Sequence, residues 1–169
     1  MAKRMMAMVL AIMLLLGCVP VQAAVLTKAE QYEAALEGLK AYLNDDETMS
    51  ISDLNDRFNE LGGYEHSIML EMYTKVLLFI ENGEFTPVQR LIGYMKDDSD
   101  FVAFVEENEA FGSLEMLEWY AKGRQAEAEG RREDAADCYR NCSSFMDSAS
   151  RRRNLDDGRL DEDRKSVVY

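Results

Sequence analysis

Residues 114–142 read LEMLEWYAKGRQAEAEGRREDAADCYRNC, and the fold is decided there. Ala, Leu, Glu, Met and Arg dominate the stretch, residues that an α-helix accommodates at least cost, and no proline interrupts it. Gly130 divides it into two helices, about 114–128 and 131–143, because glycine is the residue that most readily ends a helix in a left-handed turn. Trp119 and Gly123 share a face of the first helix at a spacing of four, and Ala135 and Tyr139 share a face of the second. Small side chains at Gly123 and Ala135 let the two backbones approach, and Trp119 and Tyr139 fill the space beside them. The expected unit is a pair of antiparallel helices.

Working outward, the same pattern returns at fixed distances. Ala135, Tyr139 and Cys142 match Val88, Ile92 and Met95 at a shift of 47, and those match Leu54, Phe58 and Leu61 at a shift of 34. The shift of 47 also lays Gly83 on Gly130 and Met72 on Trp119, with Val76 on Gly123. Across the summed shift of 81, Tyr64-Glu65-His66-Ser67 falls on Phe145-Met146-Asp147-Ser148. The 13 residues by which 47 exceeds 34 correspond to an acid-capped segment from Asp98 to Ala110, which carries Phe101, Phe104 and Val105 as a short inserted helix.

Periodicity supplies the remaining helices. Tyr32, Ala35, Leu36, Leu39, Tyr42 and Leu43 form one apolar stripe, and Tyr64 to Asn82 is apolar over more than half its circumference, as a central buried helix should be. Asn82-Gly83 stops that helix, and Thr86-Pro87 starts the next. The predicted class is all-α: about three stacked antiparallel helix pairs over residues 25–150, with one short inserted helix. From Arg151 to Tyr169 charges of both signs replace the apolar stripe, and the composition predicts a disordered tail.

A period of 34 residues is that of tetratricopeptide repeats, and the last unit resembles that family through Trp119, Gly123, Gly130, Ala135 and Tyr139. Lys122, Ala126 and Asp147 depart from its usual leucine, tyrosine and closing proline, and the first unit matches only in its second helix. Similar segments to Leu61-Gly62-Gly63-Tyr64-Glu65-His66-Ser67 recur in bacterial helical-repeat proteins. The resemblance implies a right-handed superhelix that binds a protein or peptide partner in a groove lined by the first helix of each pair. It nominates Glu71, Lys75, Lys122 and Gln125 as groove residues, and Leu54, Phe58, Gly83, Val88, Ile92, Trp119, Gly123, Gly130, Ala135 and Tyr139 as the residues that pack the repeat.

The N-terminus points to export. Lys3 and Arg4 precede an uncharged apolar run from Met5 to Gly17, and no acid occurs before Glu30, the layout of a signal peptide over residues 1–23. At about 13 residues the run is shorter than the ~20 that span a bilayer. Val21-Gln22-Ala23 suits cleavage before Ala24, whereas Leu15-Leu16-Gly17-Cys18 resembles a lipobox, by which Cys18 would carry a lipid anchor. The immediate start of helix after residue 24 leaves little tether for such an anchor. Removal of 1–23 leaves 17 bases against 32 acids, a net charge of −15, which repels phosphate backbones and anionic lipid and argues against nucleic-acid binding.

The chain offers little for catalysis. His66 is its single histidine, and it contains no phosphate-loop, Gly-x-Gly-x-x-Gly or Gly-x-Ser-x-Gly motif, so the reading is of a non-enzyme without metal or cofactor. Asn44 to Ser52 is a solvated loop, lacking the glycine and closing glutamate of a calcium loop at Met49 and Asn55. Cys138 and Cys142 share a helix face, a poor geometry for a disulfide, and read as small buried hydrophobes.

Overall fold

The structure, a computed structural model, describes residues 26–46 and 49–166. The expected signal segment, Cys18 included, lies outside them. Eight α-helices and one 3-10 turn account for the described chain, which contains no strand: α1 Lys28–Leu43, α2 Ile51–Leu61, α3 Ser67–Glu81, α4 Val88–Asp97, α5 Ser99–Glu107, the turn Glu109–Phe111, α6 Leu114–Ala128, α7 Arg132–Asn141 and α8 Ser148–Ser166. The chain is all-α, and its helices pack chiefly against their neighbours in sequence. α5 is a short helix within the segment from Asp98 to Ala110 where one was expected, capped by the Asp98 side chain accepting from the Phe101 amide at 2.9 Å.

Three of the helices end in the same way. Two residues beyond α1, α3 and α6 stand Asp45, Gly83 and Gly130, all left-handed, with φ of 65°, 74° and 75°. The following amides, of Asp46, Glu84 and Arg131, reach back to the carbonyls of Ala41, Phe79 and Ala126 at 3.0, 2.8 and 2.8 Å. This is the Schellman closure, which satisfies helix-end carbonyls and reverses the chain. Two other turns also match: Glu65 and Met146 are left-handed at φ 47° and 46°, and each precedes by two residues a fully buried serine, Ser67 or Ser148, at the head of the next helix. Those turns are the segments that superpose at the shift of 81.

Glycine permits the closest helix approach. A Cβ on Gly123 would lie 2.6 Å from Cε1 of Tyr139, so α6 and α7 pack at this distance only because position 123 has no side chain. Tyr139 and Ala135 are wholly buried there, as are Leu54, Phe58, Val88 and Ile92 in the earlier helices. In the first pair Gly38, five residues before the end of α1, plays the part that Gly123 plays five before the end of α6: its Cβ would meet Leu54 at 2.9 Å. The sequence reading assigns no such residue to the first pair. Trp119, expected to pack the repeat, is instead 38 % exposed, with the Lys122 ammonium 4.9 Å from its ring centroid.

The expectation of a disordered tail gives way to α8. A stripe of apolar residues is missing from it, so periodicity does not reveal it, but its first turn is fastened by charge. Arg151 places Nε 2.7 Å from Asp147 and Nη1 3.1 Å from Glu127 on α6, and Leu155 packs on the core. Of the two cysteines, both free thiols, Cys142 is buried beside Ser148 Oγ at 3.3 Å and Cys138 is half-buried.

Candidate functional site

The C-terminal ends of α1 and α3 meet the middle of α6 and the start of α8 around a cleft of about 190 Å³. Tyr42 and Asp45 line it from α1 and its turn, Glu81 from the last residue of α3, Tyr120 and Arg124 from α6, and Asp147 and Arg151 from the head of α8. Each arrives there for a local reason. The Schellman turn after α1 brings Asp45 round, α3 halts at Glu81 because Gly83 follows, and Arg124 stands one turn after Tyr120 on the same face of α6.

One half of the cleft is a closed polar network. Tyr120 donates its hydroxyl to Asp147 Oδ1 at 2.9 Å, Asp147 faces Arg151, and Arg151 reaches Glu127, which also accepts from Tyr139. Burial, and then the Asp147 charge, push the Tyr120 phenol above its ordinary value, so it remains a hydroxyl donor. Burial pulls the Arg151 guanidinium down, but the Asp147 bond and surrounding negative charge outweigh it and raise it. Burial and the Glu127 bond likewise raise the Tyr139 phenol.

The other half is less complete. Tyr42 donates to Glu81, and no cation of the described chain pairs with that carboxylate. Arg124 donates Nη1 to the Tyr120 hydroxyl oxygen at 3.2 Å and lies with Cζ 5.9 Å from the centroid of that ring. Among the described residues it has no other acceptor, which leaves most of its guanidinium donors available at the cleft. No three His, Cys, Asp or Glu side chains among the described residues converge as a metal site.

The four residues nominated from the sequence lie elsewhere and in two groups. Glu71 and Lys75 form an i,i+4 ion pair at 2.9 Å on α3, where the Glu71 carbonyl also accepts from Asn55 of α2. Lys122 is drawn to Glu118 at 2.6 Å and to Trp119, and with Gln125 it lines a shallow depression of about 340 Å³ beside Arg131, Asp134 and Cys138. The cleft residues Tyr42, Glu81 and Arg124 are not among the nominees. Glu81 stands just before the Asn82-Gly83 stop that the sequence marks and Tyr42 just before the loop that starts at Asn44, whereas Arg124, within α6, has no such signal.

Compared with known proteins, the chain matches no family model, no curated protein and no solved structure.

Proposed function

We propose that this protein is an exported helical-repeat interaction module of the tetratricopeptide kind, which holds a protein or peptide partner in the cleft and carries out no chemistry of its own. One observation supports this most: the first helices α1, α3 and α6 deliver Tyr42, Glu81 and Arg124 to one cleft, with neither Glu81 nor Arg124 in an ion pair among the described residues. Three helix ends closed by the same left-handed turn, and close approach at Gly38 and Gly123, are the packing devices of a stacked helical repeat. A net charge of −13, or −15 without residues 1–23, disfavours nucleic acid as the partner.

The test is site-specific photo-cross-linking in the producing cell's envelope. A photoreactive residue at Met146, in the cleft, is expected to give a discrete adduct, and one at the exposed Asp137 of α7 is not. Adducts of equal yield from both positions, or none from Met146, would refute the reading. The intact mass of the exported chain tests the N-terminus: a mass starting at Ala24 without lipid removes anchoring through Cys18.

A further inference from the structure

Two charges at the cleft have no ion-pair partner among the described residues, only the hydroxyl groups of Tyr42 and Tyr120, and they are of opposite sign. Arg124 has no carboxylate within ion-pair distance among the described residues, while Lys96, Lys122, Arg131 and Arg151 each have one. Asp147, which takes Tyr120 and Arg151, forms no ion pair with it. Glu81 lines the same cleft yet forms no ion pair with Arg124, so the gap between them exceeds 4 Å. The protein holds a positive and a negative group apart and leaves the space between them open.

The surroundings of each charge fit that division. Glu81 sits where α1 and α3 both end, and helix C-termini carry the negative end of the macrodipole, which favours a cation. Tyr42 adds a ring and Asp45 a second carboxylate on this side. On the other side Arg124 is held against the Tyr120 ring, and a guanidinium so oriented offers a carboxylate two parallel N–H donors. Size then limits the occupant. Pockets that enclose drug-sized ligands run to roughly 300–1,000 Å³, and about 190 Å³ admits a single residue.

We infer that the cleft takes a dipolar ligand of one residue's size, its ammonium against Glu81 and Tyr42 and its carboxylate against Arg124. This rests on the cleft being the binding site. A free amino acid and the C-terminal lysine of a peptide both present that chemistry, one with its charges fixed in a small molecule and the other with a side-chain ammonium and a terminal carboxylate.

A ruler of ω-amino acids tests it. Glycine, β-alanine, γ-aminobutyrate and 6-aminohexanoate are titrated into the full mature chain, followed by amide shifts at residues 42, 81, 120 and 124, beside hexylamine and hexanoate as single-charge controls. One length is expected to bind, with Kd on the order of 1 mM for so small a ligand, and at least ten-fold tighter than either control. Arg124→Gln and Glu81→Gln are each expected to weaken it ten-fold or more with an unchanged melting temperature, since Glu81 is exposed and Arg124 only half-buried.

A second arm compares an N-acetylated peptide ending in lysine with its C-terminal amide. Preference for the acid over the amide assigns the ligand to a peptide terminus, and binding of the small zwitterions alone assigns it to free amino acids. Absence of saturable shifts in both arms, equal binding by hexylamine or hexanoate, or indifference to both substitutions overturns the inference. If Met146 adducts persist while no dipolar ligand binds, this inference fails and the interaction reading stands. If the ligand binds but Met146 yields no adduct, the reverse holds.

Discussion

The first helix pair, α1 with α2, and the last, α6 with α7, are built on one plan with different parts. Each first helix has a glycine five residues before its end, Gly38 or Gly123, and a left-handed residue two after it, Asp45 or Gly130. Seven residues separate the helices of the first pair and three those of the last. Across the contact, Gly123 meets the ring of Tyr139, while Gly38 meets a methyl of Leu54 and the end of Met49. A close approach at a glycine recurs in both pairs, and the loop and the residue that fills the approach vary. A middle pair with Val76 at the glycine position shows that even the small residue is not required where the partner face differs.

The two glycines therefore separate in what a methyl would cost. At Gly123 three atoms of the Tyr139 ring lie within 3.0 Å of the added Cβ, and the ring is fully buried with its hydroxyl on Glu127, so it has nowhere to turn. Gly123→Ala should lose about 1–3 kcal/mol to overpacking, reduced by the ~1 kcal/mol that alanine gains over glycine in a helix. At Gly38 the nearest atom is the tip of a leucine, and the next two belong to flexible Met49, so Gly38→Ala should be close to neutral. Urea unfolding of both variants measures this. Equal losses would mean that the two approaches are equally tight and the comparison is wrong.

The left-handed turns give a smaller effect of opposite sign in the two pairs. Gly130 at φ 75° has open space around it, so Gly130→Ala costs only the backbone strain, about 1 kcal/mol. Asp45 already bears that strain at φ 65°, and Asp45→Gly should recover up to about 1 kcal/mol, less the entropy that glycine adds to the unfolded chain. Thermal melts of the two variants should shift in opposite directions. A loss of stability in Asp45→Gly would show that this carboxylate makes an interaction worth more than the strain.

These contrasts explain what was legible in the sequence. The last pair declares itself because a three-residue loop keeps Gly123, Gly130, Ala135 and Tyr139 in the spacing of the resembling family. Gly38 was hidden by its loop: with four more residues before α2 it aligns with Gly123 at a shift of 85, whereas the second helices align at 81. α8 was hidden by composition, since it is fixed by the ion pairs of Arg151 and not by an apolar stripe. The cleft was hidden by geometry. Periodicity tells which face of a helix is buried, but it does not tell which part of the polar face meets another pair, and so Glu71, Lys75, Lys122 and Gln125 were as good as Glu81 and Arg124 until the helices were placed.

The smallest predicted effect separates the pairs by acid. Around the last pair, Glu118 of α6 takes Lys122 at 2.6 Å and Lys96 of α4 at 2.6 Å, and those bonds hold its carboxyl below the ordinary 4.5. A carboxylate with a lowered folded pKa adds stability that is fully present above its unfolded value and is lost as the pH falls through the folded one. In the first pair the ion pair on α1 is the i,i+3 contact of Lys40 with the largely exposed Glu37, which joins no second helix. As the pH falls below 4.5 the amides of α6 should thus lose exchange protection before those of the middle of α1. The change is a few tenths of a kcal/mol, the worth of a solvent-screened pair. Glu118→Gln should flatten that limb and leave α1 as it was, and a limb unchanged by Glu118→Gln would place the acid sensitivity elsewhere. Because the whole chain is acidic, protonation also relieves repulsion between carboxylates everywhere, and only a comparison between the two pairs isolates the Glu118 contribution from that uniform gain.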